Sequence, residues 1–167
     1  MLQEYLSLNP KAILAGPLEV AKLLKIQGVE EVQVVKPGQD YKLAGVDFHT
    51  VPAYFLEGNS HPKDRQWVGY VLQLNRASYY ITGDTQPLPD MAALKVDVLF
   101  PLLYGCSGNL EQALKMAALC KPRLVVPVHT GGQEEVIKKY LAQLSKGVQG
   151  AYCKDAKLIA ASEAGNK

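Results

Sequence analysis

The sequence predicts a single α/β domain in which helices pack on a mixed β-sheet. Short runs rich in β-branched residues alternate along the chain with segments whose apolar residues recur at helical spacing. The 167 residues are 48% hydrophobic and 20% charged, which is typical of a globular domain that can bury a core. No internal repeat or low-complexity linker divides the sequence, so we expect one domain over residues 1–167.

The first half of the chain shows a strand, a helix, a second strand and then a hairpin. Proline favours the first turn of a helix and glycine its end, so Pro17 and Gly28 bound a segment whose leucines have helical spacing. Ala44-Gly45 lies between two strand-like runs, as in a hairpin turn. The expected elements are a strand at 11–14, the helix between Pro17 and Gly28, a strand at 31–35, and hairpin strands at 40–43 and 46–51.

The second half repeats the order of strand and then helix. Asn109 and Gln112 have the spacing of a capping box at the start of a helix. Residues 53–66 have no clean period, and a loop of this length in a compact domain is more often functional than idle. The expected elements are strands at 67–74, 78–82, 96–99 and 124–128, helices at 109–119 and 134–144, a last hairpin at 151–153 and 157–160, and a loose tail at 162–167.

Charge and hydropathy exclude several classes of function. Eighteen basic residues against sixteen acidic ones give a net charge of +2, which is too small for a nucleic-acid groove or a patch that binds anionic membranes. No apolar run reaches the roughly 18 residues of a membrane span, and residues 1–9 lack the features of a signal peptide. We therefore expect a cytoplasmic protein with no nucleic-acid or membrane partner.

The three cysteines lie far apart in no paired spacing, which fits free thiols in a reducing compartment. Cys106 lies in a glycine-rich loop. It is either a metal ligand or reactive thiol or, as is more common for such a residue, a small filler of the loop. Cys120 and Cys153 are expected in the core.

His49 has an ordinary explanation in its strand. With Val46 and Phe48 facing inward, the alternation of a strand turns His49 to the other face. We therefore expect a structural or solvent-facing role for His49.

His61, Asp84 and His129 are weak candidates singly and a stronger set together. By themselves, His61 is a surface residue of a loop, Asp84 is a turn former, and His129 ends an apolar strand where a functional and an ordinary role are equally good explanations. Together they are the ligand types of a catalytic zinc site, which needs three protein ligands and an open position for water. They lie at the loop ends where α/β sheets carry their sites. Because 23 and 45 residues separate them, the spacing alone is a weak signal.

Several segments together resemble the metallo-β-lactamase superfamily, and within it the ascorbate-6-phosphate lactonase-like hydrolases. They occur in the family's order between about residues 9 and 132, and it is this joint order that is specific. The segments are Val51-Pro52-Ala53-Tyr54, His61-Pro62-Lys63, Trp67-Val68-Gly69-Tyr70, Gly83-Asp84-Thr85, Pro89-Asp90-Met91 and Val126-Pro127-Val128-His129. The resemblance implies an αββα sandwich.

The resemblance also implies roles for the three candidate residues. His61 would lie in a first metal site, His129 in a second, and Asp84 would bridge both metals and act as the catalytic residue that orients the nucleophile. The expected metal is zinc, with manganese or iron as alternatives that ligand type does not separate. The implied activity is hydrolysis of an ester, a lactone or a phosphodiester through a metal-bound hydroxide.

The sequence departs from the family pattern in its ligands. The family carries an earlier His-x-His-x-Asp-His motif that supplies four further ligands, whereas nothing here matches it and residues 2–10 resemble what normally follows it. Ile81 also stands where many relatives have histidine, and the loop Tyr104-Gly105-Cys106-Ser107 differs from the usual Gly-Gly-Thr type. We therefore expect an incomplete, N-terminally truncated domain that is inactive as this fragment. Its exposed edge would favour a homo-oligomer or a complementing N-terminal segment.

Three interpretations of the chain remain open. It is a metal-dependent hydrolase whose N-terminal part is missing from this sequence, a short non-catalytic binding or scaffold protein derived from the same fold, or an unrelated α/β binding domain. An in-frame His-x-His-x-Asp-His motif in the DNA upstream of Met1 would select the first interpretation.

Overall fold

The computed structural model describes residues 2–29, 31–56, 60–104, 109–154 and 157–160. Its strands are β1 Leu14–Gly16, β2 Val32–Val34, β3 Asp40–Leu43, β4 Val46–Pro52, β5 Val68–Leu74, β6 Ala77–Ile81, β7 Val98–Phe100, β8 Leu124–Val125, β9 Gln149–Lys154 and β10 Lys157–Ala160. Its α-helices are α1 Leu2–Leu8, α2 Leu18–Ile26, α3 Leu110–Cys120 and α4 Glu134–Leu141, and short 3₁₀ helices occur at Lys63–Arg65 and Pro89–Ala93. None of the helices in these ranges is long and apolar enough to cross a membrane.

Strands β3 to β10 form one mixed sheet in the order β10-β9-β8-β7-β6-β5-β4-β3. Strands β3, β4, β5 and β6 pair as antiparallel neighbours. Strands β6, β7, β8 and β9 run parallel, and β10 returns antiparallel to β9. Strands β1 and β2 form a separate parallel pair. The mixed α/β sheet architecture expected from the sequence is confirmed.

The main core lies between one face of the large sheet and helices α3 and α4. Met116 of α3 and Tyr140 of α4 are fully buried. They belong to one cluster with Tyr80, Leu99 and Val125 of the sheet, which are fully buried as well. Burying a large apolar side chain contributes about 1.5–3 kcal/mol. This contact therefore fixes both helices on the sheet and holds the parallel strands in place.

Helix α3 begins and ends where its sequence signals predict. The Oδ1 atom of Asn109 accepts a hydrogen bond from the backbone N–H of Gln112 at 2.9 Å. The Oε1 atom of Gln112 is buried with no hydrogen-bond partner among the described residues, so only one half of the capping box is present. The helix ends at Lys121, which has a left-handed φ of 47°, ahead of Pro122.

A second, smaller core covers the opposite face of the sheet. Phe48 and Val68 are buried there against Val35, which follows β2. Val51, on the other face of β4, belongs to the main core. The face of β4 that carries Phe48, which the sequence predicts to face inward, therefore lies in the smaller core. His49 lies on the opposite face, which is the face of the main core. Alternation could not separate core from solvent here, because a strand inside a layered fold is buried on both faces.

Large apolar side chains are exposed along the first 26 residues. They are Tyr5, Leu8, Ile13, Leu18, Val20, Leu23 and Ile26. Helix α2 contacts β1 and β2 but has no buried residue. A homo-oligomer or a complementing segment at this surface stays a prediction.

The expected strand at 124–128 is shorter than its apolar run. Strand β8 contains Leu124 and Val125, and pairing resumes only as an isolated bridge between Leu102 and Val128. Pro127 has no N–H to donate to the ladder, so the strand is interrupted. The expected helix at 134–144 likewise ends earlier, at Leu141.

Candidate metal-binding site

The parallel strands bring two of the candidate residues to the same edge of the sheet. Strands β6, β7 and β8 run parallel, so their carboxyl ends meet at one edge. Asp84 follows β6 and His129 follows β8. The two residues therefore share the edge at which α/β sheets build their sites.

Thr82 fixes the start of the turn that carries Asp84. Its fully buried hydroxyl donates to the backbone oxygen of Phe100 at 3.2 Å and accepts from the N–H of Leu102 at 3.2 Å. Gly83 then adopts a φ of 63°, which favours glycine because it has no Cβ. The turn is thereby tied to the end of β7.

Gly69 allows the neighbouring strand to approach this turn closely. A Cβ atom at Gly69 would lie 2.6 Å from the backbone oxygen of Thr82 and 2.8 Å from that of Ile81. Because backbone oxygens cannot move aside as a flexible side chain can, only glycine fits at this position of β5. The close approach of Gly69 to Thr82 therefore helps to support the turn that carries Asp84.

The residues after Asp84 hold the irregular loop against the turn. The hydroxyl of Thr85, fully buried, accepts from the N–H of Tyr54 at 3.2 Å and lies 3.1 Å from the oxygen of Tyr54. The N–H of Gln86 donates to the same oxygen, and the Oε1 atom of Gln86 accepts from the N–H of Leu56 at 2.8 Å. These bonds make the loop that leads to His61 part of the same edge.

The ring of His61 is packed between two aromatic side chains. Ring centroids lie 4.6 Å away at Phe55 and 4.8 Å away at Trp67, the second with an edge-on geometry. The indole N–H of Trp67 donates to Glu19 of helix α2 at 2.9 Å, and Glu19 also pairs with Arg65. His61 is thus held from both sides, and its side chain is only 18% exposed.

His61 and Asp84 lie at the separation of two ligands of one metal ion. The Nε2 atom of His61 is 3.5 Å from the Oδ2 atom of Asp84. This is longer than a good N–H···O hydrogen bond. Two donors that each lie about 2.1 Å from a tetrahedral ion are about 3.4 Å apart. The imidazole and carboxylate pair therefore fits a shared divalent metal, although Nδ1 of His61 is buried with no hydrogen-bond partner among the described residues.

His129 is held in a form that can also serve as a ligand. Its Nδ1 atom makes a short contact with the backbone oxygen of Tyr104, and its own backbone oxygen accepts from the N–H of Tyr104 at 3.0 Å. If the Nδ1 proton makes the contact, Nε2 remains an acceptor for a metal. His129 is exposed and has a left-handed φ of 52°.

The structure does not gather all three candidates into one cluster. Across the described ranges, no group of three or more His, Cys, Asp or Glu side chains is arranged to hold a metal. His61 and Asp84 are together and His129 lies apart from that pair. The assignment of His61 and His129 to different sites, and the roles of the three residues, stay predictions.

The remaining sequence candidates lie elsewhere. His49 pairs through Nδ1 with Asp40 at 2.8 Å on the β3–β4 hairpin. Cys106 falls outside the described residues. Cys120 is buried as expected, and burial raises its pKa to about 12. The expectation for Cys153 was wrong, because it is exposed.

Sequence reasoning missed the residues that position His61. Phe55 and Trp67 contact its ring, and Glu19 of a separate segment holds Trp67 through the indole N–H. The only available signal was the presence of Trp67, the single tryptophan, close to His61 in sequence.

The profile of one protein family matches most of the chain. The beta-lactamase superfamily domain matches residues 2–130. This range contains His61, Asp84 and His129.

Two archaeal proteins are similar to this chain in sequence. A UPF0173 protein of Pyrococcus furiosus is 29% identical over 72% of this chain and 55% of its own length. A UPF0173 metal-dependent hydrolase of Methanopyrus kandleri is 29% identical over 72% of this chain and 56% of its own length. The chain therefore spans little more than half the length of these relatives.

The solved structures are similar in fold. A protein of Parabacteroides distasonis has a TM-score of 0.71 at 24% identity and covers 84% of this chain and 63% of its own. A metallo hydrolase of Ignicoccus hospitalis has a TM-score of 0.69 at 18% identity, and the match covers 95% of this chain and 72% of the other. The diiron β-hydroxylase CmlA of Streptomyces venezuelae has a TM-score of 0.65 at 10% identity and covers 89% and 40%.

Proposed function

This chain belongs to the metallo-β-lactamase superfamily, and from that premise we propose that it serves metal-dependent hydrolysis of an ester, a lactone or a phosphodiester. The observation that carries the proposal is the 3.5 Å separation of the Nε2 atom of His61 from the Oδ2 atom of Asp84. The relative from Methanopyrus kandleri, itself named a metal-dependent hydrolase, supports the same reaction class.

In this proposal each residue has a defined task. His61 and Asp84 would hold one ion, and His129 would contribute to a second site through Nε2. A divalent ion bound there would supply Lewis-acid activation of water and of the substrate's carbonyl or phosphoryl oxygen. Asp84 is half-buried at the mouth of the sheet edge, where its carboxylate can orient the attacking water.

We propose zinc as the metal, with manganese or iron as alternatives. Imidazole nitrogen and carboxylate oxygen suit all three, so ligand type does not decide among them. The fold neighbour CmlA is a diiron enzyme, which supports keeping iron in the comparison. In its narrowest form, the proposal is that the substrate is a lactone, as the resemblance to the lactonase-like hydrolases implies.

The proposal includes an incomplete ligand set in these 167 residues. The resemblance assigns four further ligands to a His-x-His-x-Asp-His motif, which the sequence does not contain. An N-terminal segment or another chain would have to supply them. Without them, we expect weak, substoichiometric metal binding and little turnover.

The DNA upstream of Met1 and the corresponding extended chain test this function. We expect an in-frame His-x-His-x-Asp-His motif, about two bound metals per extended chain, and hydrolysis of p-nitrophenyl acetate, a simple lactone or bis-p-nitrophenyl phosphate that EDTA abolishes. The same assay on Asp84→Asn should lose turnover, whereas His49→Ala should keep it. An extended chain that carries the motif but binds no metal would overturn the proposal.

A non-catalytic binding or scaffold role is the alternative. It is favoured by one observation, namely that no group of three metal-ligating side chains occurs in the described part of the chain. No upstream motif, together with no zinc binding by the 167-residue chain, would select this alternative.

A further inference from the structure

A cavity of about 530 Å³ lies beside the candidate metal site. It is bounded by the first turns of helix α2, by residues 34–36 after β2 and by the turn at residues 64–66. This volume is in the range of small-molecule sites, and Leu18 and Val35 give it an apolar wall. Its size and mixed lining are those of a pocket for a small organic molecule.

The lining of this cavity carries an excess of positive charge. Lys22, Lys36 and Arg65 face two carboxylates, Glu19 and Asp64. Glu19 is already engaged by Arg65 and by the indole of Trp67. In the described ranges, neither Lys22 nor Lys36 forms an ion pair. Apart from the Arg65–Glu19 pair, the lining therefore carries two ammonium groups and one carboxylate, that of Asp64, which leaves a net positive charge for an anion that enters the cavity.

Two side chains, those of Glu19 and Trp67, connect the cavity to the candidate metal site. Glu19 lines the cavity and accepts a hydrogen bond from the indole N–H of Trp67 at 2.9 Å. The opposite part of Trp67 contacts the ring of His61, with 4.8 Å between ring centroids. His61 in turn lies 3.5 Å from Asp84. The side chains of Glu19 and Trp67 thus lie between a molecule anchored in the cavity and the His61–Asp84 pair.

We propose that this cavity binds the anionic group, a carboxylate or a phosphate, of a small-molecule substrate. Lys22 and Lys36 supply point charges for the anion, and Leu18 and Val35 contact the apolar part of the molecule. The role of the anion as part of a substrate rests on the proposed hydrolytic function. The binding itself does not, because none of the cavity residues is a candidate metal ligand.

Binding is tested by NMR titration of the metal-free chain with phenyl phosphate, benzoate and benzyl alcohol. We expect both anions to shift resonances of residues 18–22 and 34–36, and the neutral alcohol to shift them at least about fivefold less at equal concentration. Lys22→Met and Lys36→Met should each raise the Kd for the better anion about fivefold. Lys25→Met, on the same helix but outside the cavity, is the matched control and should leave the Kd unchanged.

The relative Kd values of phenyl phosphate and benzoate identify the anion. Equal binding of benzyl alcohol, or Kd values that are the same in Lys22→Met, Lys36→Met and the unchanged chain, would overturn the inference. Raised salt should weaken anion binding, since the interaction is between charges near the surface.

Turnover by the metal-loaded, extended chain separates the two proposals. If anions bind through Lys22 and Lys36 but no ester is hydrolysed, the hydrolytic function fails and the cavity remains an anion site. If an anionic and a neutral ester are hydrolysed with equal kcat/KM, and Lys36→Met changes neither, the hydrolytic function stands and the substrate inference is overturned.

Discussion

The Nε2 atom of His61 lies 3.5 Å from the Oδ2 atom of Asp84, although the two residues come from different loops. The hydrogen bonds of Thr85 and Gln86 to the backbone of residues 54–56 hold the two loops together. The ring of His61 contacts the rings of both Phe55 and Trp67. Contacts with the rest of the chain therefore hold the pair in place.

Thr85→Val should loosen the pair and destabilise the fold. Valine fills the same volume but leaves the backbone of Tyr54 without its hydroxyl partner, which costs about 1–3 kcal/mol for a buried group. We expect lower stability to urea and weaker zinc binding. Thr50→Val is the matched control, because Thr50 is equally buried and hydrogen-bonded but lies on the β3–β4 hairpin side. It should lose stability without losing zinc affinity, and an equal loss of affinity in both variants would refute the local explanation.

Gly69→Ala should be more damaging than Gly150→Ala. The new Cβ at Gly69 would meet the backbone oxygens of Thr82 and Ile81, whereas the one at Gly150 would first meet the end of the Leu141 side chain, which can shift. We expect Gly69→Ala to lower the free energy of unfolding by about 1–3 kcal/mol and to weaken zinc binding. Thermal unfolding and zinc titration of both variants measure this. A Gly150→Ala variant that loses more stability than Gly69→Ala would contradict the packing argument.

Stability should fall in acid because of Asp97. The backbone N–H and then the hydroxyl of Ser78 donate to its carboxylate, at 2.9 and 3.0 Å, and lower its pKa. A lowered folded-state pKa stabilises the protein above the unfolded value of about 3.9, and that contribution is lost as pH falls through the folded-state pKa. The stability difference between the unchanged chain and Asp97→Asn, from urea unfolding, should therefore shrink between pH 6 and pH 3. Asp90→Asn, at an exposed position, is the control. A difference that is constant with pH would be evidence against this role of Asp97.

The sequence predicted the elements of the site better than its contacts. Local signals placed Asp84 and His129 after apolar strands, and the parallel pairing of β6, β7 and β8 then brings both residues to one edge. The aromatic contacts of His61 could not be predicted, because Glu19 and Trp67 meet only after α2 packs against the turn at residues 63–66. Alternation placed Phe48 on the inward face of β4, but both faces of this strand are covered, one by the smaller core at Phe48 and the other by the main core at Val51. Periodicity alone cannot distinguish two buried faces.

The most direct test of the account is a double-mutant cycle of zinc affinity at His61 and Asp84. Isothermal titration of the 167-residue chain, His61→Ala, Asp84→Asn and the double variant gives the coupling between the two side chains. If both hold one ion, each single change should raise the Kd at least about tenfold, since each removes one ligand. The double variant should then lose little more, and His49→Ala should bind like the unchanged chain. Zinc affinity that is unchanged in Asp84→Asn, or losses that are strictly additive in the double variant, would contradict a metal shared by His61 and Asp84.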